Sequence, residues 1–372
     1  MAILKQVIIR KGLMELNTTE QIRRSQVQFS GETGQFFKIW IVNIVLTILT
    51  LGIYSAWAKV RTHRYFYSNT SIEGHQFTYL ANPIQILIGR IIAVVLFIIY
   101  MGSVQFVPIL GLLVMLIALF LMPWVINRSM RFQNKMTSYR NVRFGFKGSY
   151  GEAFLVFIIL PVLAIFTLYL LMPWVIKKVN EYIIGNTTYG DRQIETDLSA
   201  TDYYIAFLLV VAISVGAMFG FAIVIGIVAA IFGATVDTTN LDPNGLSAAM
   251  FIMGPISALL YVGMFSLITG IYQSRIRAHN FANSEIKDVV QFVSTITEMQ
   301  FTRLVFFNLI AIGLSLGLAY PWAKIRKARY LANGTFVEIH PNADHIIDDM
   351  TDEKSAIGEE IANVFDLDIA IT

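Results

Sequence analysis

Residues 34–66 read GQFFKIWIVNIVLTILTLGIYSAWAKVRTHRYF, and residues 299–331 read MQFTRLVFFNLIAIGLSLGLAYPWAKIRKARYL. Without a gap, Asn43 falls on Asn308, Gly52 on Gly317 and Trp57 on Trp322; Lys59, Arg61, Arg64 and Tyr65 fall on Lys324, Arg326, Arg329 and Tyr330. Each copy is an apolar run followed by a short basic one. Trp belongs at a lipid–water interface. Lys and Arg at roughly two-, four- and seven-residue spacing then line one face of a helix. Each copy therefore reads as a membrane-embedded segment leading into an amphipathic helix on the membrane surface.

Weaker copies lie between these two. LMPWVI occurs at 121–126 and again at 171–176. In the first, Trp124, Arg128, Arg131, Phe132, Thr137 and Phe144 match Trp57, Arg61, Arg64, Tyr65, Thr70 and Phe77 at a constant offset. The second supplies Trp174, Lys178 and Tyr182. A further copy, IYQSRIRAHNF at 271–281, keeps Arg275, Arg277 and Phe281 without the tryptophan. Five basic elements thus follow five apolar segments, and all five are expected to contact lipid headgroups.

The composition agrees with a bilayer as solvent. The chain has 372 residues, of which 56% are hydrophobic and only 14% charged, with a mean hydropathy of +0.62. Soluble domains carry about 25% charged residues, so a soluble enzyme is excluded. A bilayer core needs about 20 apolar residues per helix. Seven segments meet or approach that length, near 36–53, 84–102, 106–126, 153–172, 204–233, 248–272 and 302–319. Their runs are continuously apolar rather than alternating, which excludes a transmembrane β-barrel. No signal peptide is expected at the polar start of the chain.

Charge sets the expected sidedness. The stretches 57–83, 124–150, 174–203, 273–301 and 322–340 are rich in Lys and Arg, whereas 101–107 has no charge and 234–247 has only Asp237 and Asp242. The positive-inside rule places the five basic stretches, and with them both termini, in the cytoplasm. The segments 84–102/106–126 and 204–233/248–272 then leave and return as pairs. The single segments 36–53, 153–172 and 302–319 have basic stretches on both sides. Either they cross and break the pattern, or they are re-entrant hairpins turning near Gly52, Met172-Pro173 and Gly317; the second keeps every basic element on one face.

Short alternating segments follow or precede the apolar ones, at 27–31, 71–80, 141–148, 188–195, 289–295 and 334–340. Alternation marks strands, and strands this short need partners. The expected fold is a mainly α-helical polytopic membrane protein with internal repeats, whose short cytoplasmic strands pair into one small sheet. A polar segment at 1–26, a repeated membrane domain at 27–340 and an acidic tail at 341–372 are the expected divisions. Within 27–340 the hairpin units span about 27–80, 141–195 and 289–340, and the helix pairs about 84–126 and 204–272. The tail holds nine acidic residues against one lysine, and solvation is its expected state.

From FSGETGQFFKIW to GHQF the stretch 29–77 resembles the YjgN family of bacterial inner-membrane proteins. Phe29, Gly31, Asn43, Thr50 to Tyr54, Trp57 to Lys59, Arg61 and Phe77 carry the resemblance, with PWAKIRKARY at 321–330 and GEEIANVFDLDIAI at 358–371. It implies the bacterial cytoplasmic membrane and little chemistry, the family being uncharacterised. It also implies a membrane peptidase of the M48 type as a partner.

Catalytic signals are missing. There are no cysteines, which excludes thiol chemistry and Cys-based metal sites. The five histidines fall at no metal-binding spacing, and no nucleophile elbow or phosphate-binding loop occurs. No cofactor, metal or nucleic acid is expected. Polar groups inside apolar segments are the remaining candidates, namely Asn43, Arg90 and Asn308. The leading expectation is a non-enzymatic membrane protein whose basic face contacts anionic lipid or a protein partner. The alternatives are a transporter or channel with a polar path through the repeat interface, and, less supported, an enzyme acting on lipids.

Overall fold

A computed structural model describes residues 22–235 and 243–351. The N-terminal stretch to residue 21, the centre of the 234–247 loop at 236–242 and the acidic tail from 352 onward lie outside the described residues. The chain divides into two compact units: Met1–Leu198 with Asn280–Thr295 and Ala328–Thr372, and Ser199–His279 with Ile296–Lys327.

In the first unit, helices α1 (Thr33–Leu49) and α2 (Ser55–Ser68) form an antiparallel hairpin. Phe36 packs against Tyr65 and Phe66, and the Tyr65 hydroxyl exchanges hydrogen bonds with the backbone of Glu32. Helices α3 (Pro83–Phe106) and α4 (Pro108–Lys135) follow as a long apolar pair. Asn82 caps α3 through the Ile84 N–H, and Pro83 and Pro108 each open a helix where no N–H donor is needed. Gly111 lets the pair close, since a Cβ there would stand 2.7 Å from a Val104 methyl. The segment Tyr150–Phe166 (α5) turns back through Thr167–Leu171 into α6 (Met172–Gly185).

The second unit holds α7 (Ala200–Thr235), most of α8 (Pro243–Ala282), α9 (Glu298–Leu314) and the start of α10 (Tyr320–Asn333). Here α9 and α10 repeat the α1–α2 hairpin. Asn308 reaches the Ala323 carbonyl as Asn43 reaches that of Ala58, 15 residues on in both. Among the described residues four helices are long and apolar enough to cross a membrane: Pro83–Phe106, Ile109–Lys135, Ala200–Val224 and Gly254–Ala282.

All strands among the described residues belong to the first unit. They are β1 (Arg23–Gln26), β2 (Gln28–Phe29), β3 (Thr70–Ile72), β4 (His75–Tyr79), β5 (Thr137–Tyr139), β6 (Val142–Phe146), β7 (Thr187–Tyr189), β8 (Arg192–Thr196), β9 (Ser284–Ile286), β10 (Val290–Ser294) and β11 (Thr335–Ile339). They form one 11-stranded sheet in the order β1-β11-β10-β9-β8-β7-β6-β5-β4-β3-β2, antiparallel throughout. Its two end strands, β1 and β2, are separated only by Val27, so the sheet bends round into a nearly closed, barrel-like ring.

This corrects the expectation of one small sheet. The physical reason is turn length. The stretch 71–80 reads as one strand but contains a two-residue turn at Glu73 and Gly74, both in the left-handed region. Arg140-Asn141 makes the same kind of turn between β5 and β6, the primed geometry that suits tight hairpins. Reading through such turns halves the strand count. Pairing between hairpins, as of Phe77 with Tyr139 or Phe144 with Tyr189, is long-range and leaves no local pattern.

A fivefold scheme emerges. Helices α2, α4, α6, α8 and α10 each lead into a strand that begins or completes a hairpin, and the last hairpin is completed by β1 from the chain's own beginning. Thr70, Thr137, Thr187 and Thr335 start four of these strands, and each hydroxyl donates to the carbonyl four residues earlier.

Candidate functional site

Each basic helix divides its cations between support and surface. Arg64 donates to the Ala81 carbonyl at 3.1 Å, Arg131 to that of Gly148 at 2.8 Å and Arg329 to that of Gly31 at 3.1 Å. Each acceptor lies two residues beyond the end of a strand, β4, β6 and β2 in turn, so these three guanidinium groups fasten helix to sheet. Arg275 pairs with Glu298 at 2.5 Å, and Lys178 with Glu181 at 2.9 Å beside the Trp174 ring. Arg326 lies over the Trp322 ring and donates to Asn308. Lys324 is half-buried near Tyr320, and Arg277 is also partly buried. Lys59, Arg61 and Arg128 are exposed, as is Trp124, while Trp57 stacks on Tyr54. The second and fourth elements are continuous with the long helices α4 and α8, and α4 runs unbroken through Pro123. The expected short helix is separate only in the three hairpin units.

The intramembrane candidates all bond locally. Asn43 spans its hairpin to Ala58 and Thr62, Asn308 its own to Ala323. Arg90, on α3, donates to the Ser55 hydroxyl at the first turn of α2.

The three hairpin turns are built alike. Gly52, Tyr169 and Gly317 each donate to the carbonyl five residues back, the wrap that ends a helix with a left-handed residue. The hydroxyls of Thr50, Thr167 and Ser315 accept from the N–H four residues ahead, capping the returning helix. The apex leucines are almost wholly exposed: Leu51 at 96%, Leu168 at 84% and Leu316 at 94%.

The barrel-like sheet supplies a second site that no sequence signal marked. Its interior packs Val142, Tyr189, Ile286 and Val337, and a helix at 343–351 (α11) covers it with Ala343, Ile347 and Met350. A ring of about eight strands is just filled by its own side chains; this wider one takes a helix as a plug. The outer side of α11 is acidic. Asp344 receives Arg140 at 2.6 Å and Arg23 at 2.5 Å, and Asp348 receives Arg140 at 3.2 Å. The start of the acidic stretch is therefore folded against the sheet rather than solvated.

Beneath α11 remains a cavity of about 100 Å³, walled by Phe77, Tyr139, Phe144, Tyr189 and Phe292, with Glu73, Arg140 and Asp344 at its edge. Tyr139 donates to the Ile72 carbonyl and Tyr189 to that of Tyr139. Burial pushes the Tyr139 hydroxyl up to about 12 and that of Tyr189 upward as well. Both stay neutral donors with their polar ends engaged.

The hydrogen bond from Arg140, joined by that from Arg23, holds the Asp344 carboxyl below the usual carboxylate range. A depressed carboxylate adds stability above its ordinary pKa, and that stability is lost as the pH falls through the folded value. Protection of 343–351 against hydrogen exchange, taken relative to the intrinsic rate at each pH, is therefore expected to fall on acidification below about pH 4. In Asp344→Asn that protection is expected to be lower at neutral pH and nearly flat over the acid range. An unchanged acid profile in that variant would show that Asp344 does not hold the helix.

No solved structure matches this chain. It is 27% identical over 360 residues to the inner membrane protein YjgN of Salmonella typhimurium strain LT2, covering 83% of this chain and 87% of that one. The inner membrane protein YjgN of Escherichia coli O157:H7 is 25% identical over 353 residues, with the same two coverages. The family described as "Bacterial protein of unknown function (DUF898)" matches residues 24–364, and the chain, whose relatives are named inner membrane proteins, belongs to it.

Proposed function

We propose that this protein is a non-enzymatic, multi-pass scaffold of the bacterial inner membrane. Its hairpins α1–α2, α5–α6 and α9–α10 enter and leave on the cytoplasmic side. Its exposed cations, Lys59, Arg61 and Arg128 among them, contact anionic headgroups there. The contact of Arg90 with Ser55 carries the reading. Arg90 lies seven residues beyond the start of α3, or about 10 Å at 1.5 Å per residue. If α3 starts at the membrane surface, the first hairpin turns about 10 Å deep, within one leaflet of a core about 30 Å thick. Exposed Leu51 then meets acyl chains rather than water. Asn43 and Asn308 bond within their own hairpins and Arg90 bonds to the first hairpin, so none of the three supports a transport path.

The cysteine-free chain makes the test direct. Single cysteines at Glu73, Asp191 and Asp288, all exposed hairpin-turn positions, are expected to resist an impermeant maleimide in intact cells and to react in inverted vesicles. In nanodiscs, association of labelled phosphatidylglycerol is expected to fall when Lys59, Arg61 and Arg128 become Gln. Labelling of any one turn from outside the cell would end the one-sided arrangement, and unchanged lipid association would end the headgroup role.

A further inference from the structure

We propose that the barrel-like sheet is a binding site for a small alkyl carboxylate, with the aliphatic end in the aromatic cavity and the carboxylate on Arg140. This does not rest on how the hairpins meet the bilayer. Three observations join here. The cavity of about 100 Å³ is walled by aromatic and aliphatic side chains, and the hydroxyls of Tyr139 and Tyr189 are spent on backbone carbonyls. It thus offers ring faces and no polar partner, a lining that favours hydrocarbon over water. An apolar cavity of about 150 Å³ stays dry and holds benzene, so this smaller one takes only the far end of an alkyl chain, the rest lying in its open mouth between Arg140 and α11.

Its edge carries Arg140, whose side chain is only 18% exposed, with Arg23 beside it. That pair already binds a carboxylate, that of Asp344, one oxygen to each guanidinium. A ligand carboxylate arriving there makes the same charge-assisted contacts. Asp344 is the chain's own stand-in for the anionic head, and α11 is the cover it fastens. Exchange of one carboxylate for the other leaves the charge count at Arg140 unaltered and loosens the cover over the chain.

Equilibrium dialysis of the full chain in nanodiscs, with empty discs subtracted, tests this. Octanoate is the probe, with octanol and octylammonium as matched tails lacking the negative head. Saturable octanoate binding, at least tenfold tighter than either control, is expected. Arg140→Gln is expected to lose tenfold or more for octanoate while keeping octanol, and Arg140→Lys to recover part of it. Octanoate, but not octanol, is expected to speed hydrogen exchange at 343–351 as it displaces Asp344. If Arg140→Gln does not fold, the three probes on the unaltered chain still decide. Octanoate binding no tighter than octanol, or exchange at 343–351 unmoved by saturating octanoate, overturns the site.

Discussion

Gly270→Ala is expected to destabilise the second unit severely, while Gly263→Ala, two turns earlier on the same helix, is expected to be almost silent. A Cβ at Gly270 would stand 2.1 Å from the Thr302 hydroxyl oxygen and 2.6 Å from the Thr302 Cα. Real carbon contacts do not come that close, and the second atom is backbone, so rotating a side chain gives no relief. Helix α8 or α9 must move apart over its length. Overpacking of this kind costs about 1–3 kcal/mol, and in a membrane, where close small-residue contact is itself the main attraction between helices, the upper end applies. At Gly263 the nearest atom is a Phe306 ring carbon at 3.9 Å, an ordinary contact, and alanine there also gains helix propensity. Thermal unfolding in detergent, followed by intrinsic fluorescence, reads both. Gly270→Ala with Thr302→Ala removes the hydroxyl clash but not the backbone one, so it is expected to recover only part of the loss. Equal melting of the two single variants would show that α8 and α9 do not approach as closely as described.

The parts of this molecule that rest on local chemistry were readable from its residues. Thr50-Leu51-Gly52 and Ser315-Leu316-Gly317 announce a helix end followed by a left-handed residue, and the two turns sit there. The middle one lies at Thr167–Leu171, a few residues before the Met172-Pro173 that the sequence suggests. Tyr169 occupies the glycine position with φ +64°, and proline marks the start of the returning helix rather than the bend. The constant offset from Trp57 to Trp174 maps Thr50 onto Thr167 and would have found it.

What depends on distant partners was not readable. Arg64, Arg131 and Arg329 look like surface cations by spacing, yet each spends its guanidinium on a carbonyl whose place is set by the sheet. The sheet itself is closed by Val27, which joins β1 to β2, and only pairing across some 300 residues reveals that a bent N-terminal strand does this. Asp344 and Asp348 belong to a tail whose composition reads as solvated. The apolar spacing of Ala343, Ile347 and Met350 is the one signal that marks a helix with a buried side.

Aspartate at the apex of the hairpins, Leu51→Asp, Leu168→Asp and Leu316→Asp together, is expected to drive all three turns out of the bilayer while the protein remains in the membrane. Each apex leucine is exposed to whatever surrounds the protein. Removing a leucine from hydrocarbon forgoes about 1.5–3 kcal/mol, and an aspartate at mid-membrane costs about 2.5–3.5 kcal/mol, less toward the surface. Even at half depth, each turn therefore loses several kcal/mol of insertion. The four long helices are unaffected and keep the chain in place. Single cysteines at Ile53, Leu170 and Leu318, beside each apex, make the movement visible. In inverted vesicles they are expected to be nearly unreactive to an impermeant maleimide in the parent and strongly reactive in the aspartate variant, with extraction by carbonate unchanged. The opposite result, equal reactivity in both, would mean that these leucines already face water. The hairpins would then be a surface patch awaiting a protein partner, since contiguous exposed apolar surface on a soluble face marks an interaction site.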